Sequence, residues 1–192
     1  MDRFQASVIG RFLKKKDNSF NQQCKSILHV GCGTDYIKDL KGFEQSGWVE
    51  TRLDINEVVN PDIVGTLTDL SKVRSGSVDV VYSSHSVEHI FAHEVPLALK
   101  EFNRVLNLDG FAIIFCPDME FVCEKVANGG LAEVIYESPA GPITALDVIY
   151  GHGRGIMDGD HHMAHKTGFT IKTLSAALKN AGFSCTIGNN PQ

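Results

Sequence analysis

Ser26-Ile27-Leu28-His29-Val30-Gly31-Cys32-Gly33 is a short apolar run that stops at a Gly-x-Gly turn. Such a run reads as a buried strand, and the glycines as its end. A strand closed this way turns the chain tightly and lets a ligand approach bare backbone N–H groups. The nicotinamide and flavin fingerprint asks for a third glycine three residues after the second. Tyr36 stands there instead. Its bulk would crowd a pyrophosphate at the helix start, so the turn argues against a dinucleotide and against a nicotinamide oxidoreductase. Asp54 follows Gly33 by 21 residues, at the end of the next apolar run. A carboxylate there can accept hydrogen bonds from both hydroxyls of a ribose. The pair therefore asks for a nucleoside ligand without a pyrophosphate; alternatively the glycines only turn the chain and Asp54 caps a helix.

Outward from this unit, the pattern alternates. Tyr36–Ser46 is a weak helix with Ile37, Leu40 and Phe43 on one side. Trp48–Ile55, Pro61–Leu67 and Val78–Ser84 read as strands. Val95–Leu106 is the best helix, with Pro96 near its start and Leu99, Phe102, Val105 and Leu106 on one face. Phe111–Cys116 is the most apolar strand. Residues 119–150 read as helices broken by Gly129-Gly130 and by Pro139–Pro142. Thr170–Ala181 is an amphipathic helix and Phe183–Ile187 a final strand. Phe4, Val8, Ile9, Phe12 and Leu13 at helical spacing predict an N-terminal amphipathic helix over 4–14, followed by the solvated Lys14-Lys15-Lys16. Continuous apolar strands alternating with helices predict a doubly wound, mostly parallel α/β sheet with helices on both faces.

Composition narrows the classes. The 192 residues suit one domain. A net charge of −5 lowers the expectation of nucleic-acid binding. No run of about 20 apolar residues is present and no signal-peptide pattern. Five cysteines, none at two-residue spacing, fit neither a disulfide framework nor a cysteine zinc site. A reduced, cytoplasmic setting with no membrane and no nucleic-acid partner is expected.

Four segments resemble the class I S-adenosylmethionine-dependent methyltransferases of the small type 11 kind. They are Ile27–Gly33, Arg52–Ile55, Val78–Ile90 and Glu101–Phe111. In the last, Leu108 and Asp109 stand where the family usually carries Pro and Gly. The resemblance implies a Rossmann-like fold and S-adenosylmethionine as cofactor, with S-adenosylhomocysteine as product. It implies backbone at Gly31, Cys32, Gly33, Ser83 and Ser84 around the methionine part. It also implies Asp54 on the ribose and Ile55 on the adenine. Thr66 with the backbone near Leu67, or else Asp69, would meet the adenine amino group. A single domain is expected: an N-terminal helix and loop over 1–25, a cofactor-binding core over 26–118, a helical and loop insertion on the substrate side over 119–168, and a final helix and strand over 169–192. The family's sheet has seven strands, the last pair an antiparallel hairpin beside the fifth. Only six are legible here, and the polar Gly188–Pro191 leaves no room for another. Either the last strand is missing or the sequence stops short of it, and an unpaired edge would then be covered by a homodimer partner or by residues 119–150.

The histidines fall in two groups. His85-Ser86-Val87-Glu88-His89 has the pattern of the inverted zinc peptidases. Those enzymes need it inside a long helix, whereas here it follows a buried strand, so no metal site is read from it. The second group lies in Asp158–Gly168, on a segment able to return over the strand ends. A histidine there suits a general base or substrate ligand, because it titrates near neutrality. His165 is preferred over His161 and His162; a loop tied down by imidazole hydrogen bonds is the alternative, and Asp158, Asp160 and His161 a weaker metal set. His152 among Gly151, Gly153 and Gly155 suggests a lid. The expected activity is methyl transfer to an oxygen or nitrogen of a small, sugar-like or hydroxylated acceptor. The competing class is a cofactor-binding, non-catalytic protein of the same fold acting in a complex.

Overall fold

The computed structural model describes residues 5–11, 25–40, 43, 47–138 and 141–189. In chain order, strand β1 is Gln5–Arg11 and β2 is Lys25–Val30. After β2 comes a 3-10 turn at Ile37–Asp39, then β3 (Trp48–Asp54), a second 3-10 turn (Glu57–Val59) and the two-residue β4 (Ile63–Val64). Strand β5 (Val78–Ser84) leads through a 3-10 turn at Val87–His89 into helix α1 (Val95–Val105) and the long β6 (Leu106–Pro117). Helix α2 (Met119–Ala127) precedes the hairpin β7 (Val134–Ser138) and β8 (Gly141–Thr144). Helices α3 (Ala145–Tyr150) and α4 (Gly153–Met157), a 3-10 turn (His161–Met163), helix α5 (Ile171–Asn180) and β9 (Cys185–Asn189) complete the order.

Seven strands form one sheet in the order β4-β3-β2-β5-β6-β1-β9. The first five run parallel, and β1 runs antiparallel to both β6 and β9. The predicted doubly wound sheet is therefore present, and the chain reverses its direction of winding between β2 and β5. In open α/β sheets that reversal opens a crevice at the carboxyl ends of the two strands, where ligands bind.

Several expectations are corrected. The helix predicted over 4–14 is a strand over its described part, 5–11, while Phe4 and residues 12–24, with the lysine run, lie outside the described residues. Two strands flank this segment, so its backbone groups are satisfied by ladders rather than by a helix. The expected missing strand is thus not missing: the slot beside the fifth parallel strand is filled from the other end of the chain. The open edge there, on which the homodimer expectation rested, is occupied. Of the helix expected at 36–46, the described residues 36–40 and 43 hold a single 3-10 turn, Ile37–Asp39, and the strand expected at 61–67 shrinks to Ile63–Val64. Residues 119–150 are not all helical, because β7 and β8 pair as a hairpin between α2 and α3.

One face of the sheet is closed by α1 and α5. Leu99, Phe102, Leu174 and Leu178 are fully buried there against Leu28, Val30, Val81 and Ile114. Across the sheet, Ile27, Ile37, Val80 and Tyr82 form a smaller cluster with Phe43 and Trp48 at its rim. Tyr82 meets His29 and Phe43 edge-on. His29 is buried, its Nδ1 2.9 Å from Glu50 Oε1, and burial pushes its imidazole below the ordinary histidine value despite Glu50. A third cluster, Val122, Ile143, Ala145 and Val148, joins α2, the hairpin and α3 beside the main body.

Candidate functional site

The two glycines after β2 have different tasks. Both hold positive φ, +61° at Gly31 and +50° at Gly33, a region most side chains avoid. A Cβ on Gly31 would collide with Ser86 Oγ, whereas one on Gly33 would meet nothing within 4 Å. Gly31 thus lets two loops touch, and Gly33 keeps a face of backbone open. Ser86 binds the loops together: its hydroxyl lies 3.3 Å from Val30 O and 2.9 Å from Ser84 O. Asp54 ends β3 beside this turn. Its carboxylate accepts the Gly33 N–H at 2.8 Å and the Asn56 N–H at 2.9 Å. Arg52 braces the turn from below by donating to Gly33 O at 2.6 Å and Asn60 O at 3.0 Å, with its guanidinium 4.3 Å from the Tyr36 ring centre.

A second assembly stands at the end of β5. His85 adopts φ +49°, the left-handed region where a histidine costs conformational energy. Glu88 is 1% exposed, and neither of its carboxylate oxygens has a hydrogen-bond partner, although His85 Nδ1 approaches Oε1 to 3.3 Å. Burial opposes its charge, but His85 and His89 beside it hold its carboxyl below the ordinary range. Segment 164–169 is strapped across these residues. Lys166 N–H donates to Glu88 O at 2.8 Å, His165 N–H to Tyr150 O at 3.0 Å, and Met119 N–H to Phe169 O at 2.8 Å. The strap brings the His165 ring to 4.7 Å from the His89 ring, edge to face. Each of these rings has Nδ1 against a carbonyl oxygen, His89 on Ala164 at 3.2 Å and His165 on Val148 at 2.7 Å. A carbonyl can only accept, so Nδ1 carries a proton in both, and in the neutral ring Nε2 is the nitrogen that keeps its lone pair. Burial lowers the His165 pKa, which favours the neutral ring.

A sequence profile of the methyltransferase-domain family matches residues 28–114, which span β2 to β6 and the whole Gly31–Asp54 crevice. Over those residues the chain resembles the methyltransferase-domain family. No curated protein matches it. Among solved structures, the chain is similar to an S-adenosylmethionine-dependent methyltransferase of Archaeoglobus fulgidus, with 18% identity, 84% of this chain and 62% of that one covered, and a TM-score of 0.53. A methyltransferase of Methanosarcina mazei is similar with 16% identity, 84% and 80% coverage and the same TM-score, 0.53. A third is the Burkholderia thailandensis 1,6-didemethyltoxoflavin-N1-methyltransferase solved with S-adenosylhomocysteine, at 14% identity, 83% and 60% coverage and a TM-score of 0.47. The chain spans about 60% of the length of the first and third of these.

The residues of the crevice fit the cofactor of this family. Open backbone at Gly33 adjoins a carboxylate that still has lone pairs free after accepting two N–H groups. Ile55, 47% exposed, offers an apolar surface next to it. Ser83 is fully buried with its hydroxyl unpartnered, so only its backbone can face a ligand, while Ser84 is half-buried at the strand end. Cys32 points into the core, and burial pushes its thiol up to about 11, which removes it as a nucleophile. For the adenine amino group the structure gives three different environments. Thr66 Oγ1 contacts Thr68 Oγ1 at 2.9 Å, Leu67 is buried in the core, and exposed Asp69 accepts from Ser71 N–H at 3.0 Å.

Of the three expected histidines, only His165 joins the strand ends. His161 and His162 are exposed on their own 3-10 turn, whose start is capped by Asp160. His152 caps the Gly155 N–H at the start of α4. Glu88 and His89 were passed over in the sequence, although the H-x-x-E-H pattern contained both. Their partner His165 lies 76 positions beyond His89 in the chain, and no local pattern spans that distance.

Proposed function

We propose that this protein is a methyltransferase that moves the methyl group of S-adenosylmethionine to an oxygen or nitrogen of a small acceptor, seated over the strand ends beside Glu88, His89 and His165. The observation that carries the reading is the Asp54 carboxylate beside open Gly33 backbone, at the place where the sheet reverses its winding. S-adenosylmethionine supplies an electrophilic methyl carbon on a sulfonium. Asp54 holds the ribose, and the Gly31–Gly33 backbone and the end of β5 bracket the methionine part. Ser86 ties that loop to the turn carrying Glu88 and His89, so the acceptor side is fixed relative to the donor side. Bound there, S-adenosylmethionine would supply the methyl group, and His165 stands where it would take the proton of a hydroxyl acceptor.

Calorimetry with S-adenosylmethionine tests the shared part. Asp54→Ala should weaken binding about tenfold to a hundredfold, the range for losing hydrogen bonds to a charged group. His165→Ala should leave that binding intact and abolish turnover with any acceptor found by S-adenosylhomocysteine release. Wild-type affinity in Asp54→Ala would overturn the cofactor assignment. Full turnover in His165→Ala would overturn the acceptor side, and binding without turnover across a broad panel of hydroxylated and amino acceptors would favour the non-catalytic class.

A further inference from the structure

We propose that Glu88, His89 and His165 form a binding site for a first-row divalent transition-metal ion, of which zinc is the reference member. One ligand atom from each of the three lies within 4.8 Å of the others, the single such grouping of histidine, cysteine and carboxylate side chains among the described residues. Two imidazole nitrogens and one carboxylate are the donor set of three-ligand sites that keep positions open.

Three independent features separate this cluster from a chance gathering of polar groups. First, Glu88 is buried, with Oε1 facing His85 Nδ1 at 3.3 Å and Oε2 without a hydrogen-bond partner. An ionised carboxylate in that state is costly unless a cation satisfies it. Second, both histidines donate Nδ1–H to backbone carbonyls, of Ala164 and Val148. This is the supporting arrangement of metal-bound imidazoles: it fixes the tautomer and aims the Nε2 lone pair. Third, the cluster is assembled by the fold. The Glu88 carbonyl accepts from both Lys166 and Thr167, and a Cβ on Gly151 would strike the Met163 carbonyl, so the strap can lie down only over a glycine. Donor atoms in a tetrahedral zinc site are about 3.3 Å apart, given bonds near 2.0–2.1 Å. The three side chains therefore close by an ångström or so at most when the ion enters, which rotations about their terminal torsions supply.

The open coordination positions would receive oxygen or nitrogen atoms of the acceptor. In that respect the inference deepens the acceptor side of the proposed function and rests on it, whereas the metal site itself stands on the three side chains alone. In the loaded protein His165 reaches the acceptor through the ion.

The test uses the full chain, stripped with a chelator and dialysed. Zn²⁺ is titrated by calorimetry, the bound metal is counted by mass spectrometry, and Co²⁺ is added as a visible-absorption probe. The expected result is one ion per chain, with cobalt bands of a low-symmetry site. His89→Ala and His165→Ala should each weaken binding by more than the ~10–100-fold that loss of a supporting hydrogen bond costs, and Glu88→Gln should do the same while keeping the shape of the side chain. A His161→Ala/His162→Ala double variant should bind as the wild type does. Absence of stoichiometric Zn²⁺, survival of binding in both His89→Ala and His165→Ala, or its loss in the double variant overturns the proposal. S-adenosylmethionine calorimetry on the same samples reports whether each variant is folded. Cofactor binding without metal overturns this site and leaves the methyl-transfer reading standing; metal binding without cofactor binding does the reverse.

Discussion

Single positions after β2 carry sharply different demands. Gly31 faces Ser86 and Gly33 faces open space, although both read alike as turn glycines. Gly31→Ala should therefore destabilise the protein by several kcal/mol, because it combines a positive φ with overlap against a neighbouring loop. Gly33→Ala should cost only the backbone term, about 1–2 kcal/mol, and act chiefly on cofactor affinity. Urea midpoints and calorimetry on the two variants check this, and equal destabilisation would refute the distinction. The turn and its carboxylate were legible in the sequence because strand, glycines and Asp54 lie within one local unit. The environments of Ser83 and Cys32 were not. A strand residue's neighbours on the adjacent strands decide which way it is buried, and those strands are far away in sequence.

At the level of elements, α1 shows a family signature doing structural work. Glu101 and Arg104 form a two-pronged ion pair at 2.6 and 2.7 Å. Glu101 also accepts the Leu70 N–H at 2.9 Å, and Arg104 donates to the carbonyls of Leu70 and Val73. The pair thus clamps the turn after β4 onto the helix, and Arg104 holds the Glu101 carboxyl below its usual range. Glu101→Ala should lower stability by roughly 1–3 kcal/mol through the stranded Leu70 N–H and the broken pair. Cofactor affinity should change little. A double-mutant cycle with Arg104→Ala should return a coupling above the 0.2–1 kcal/mol of an ordinary exposed pair; a coupling near zero would show the clamp to be ornamental. The helix itself was easy to read, since its apolar face repeats at 3.6 residues. The hairpin β7–β8 was not: the Gly129-Gly130 and Pro139–Pro142 breaks suggested interrupted helices, and the pairing that makes strands of the pieces is not a local property.

Across the whole molecule the unexpected component is β1. Seven of its residues pair with β6 and five with β9, so it is an interior strand on both sides. The 3.6-residue spacing of Val8, Ile9 and Phe12 pointed to a helix, and the two ladders override it. Val8→Pro should be severely destabilising, since Val8 is registered to Ile114 on one side and Gly188 on the other and no interior strand tolerates loss of an N–H. Unfolding monitored by circular dichroism would show this, and a wild-type midpoint would argue that β1 is dispensable. This placement also fixes an order of events during synthesis. The segment that becomes β1 leaves the ribosome before either of its partners exists. At about 5–20 residues per second it waits roughly 10–35 s for residues 185–189 to emerge. Until β6 emerges, after about 5–20 s, Ala6, Val8 and Ile9 belong to an unpaired β-prone segment, a state in which chains associate with one another. The β1–β9 ladder therefore closes only once both ends of the described chain have met.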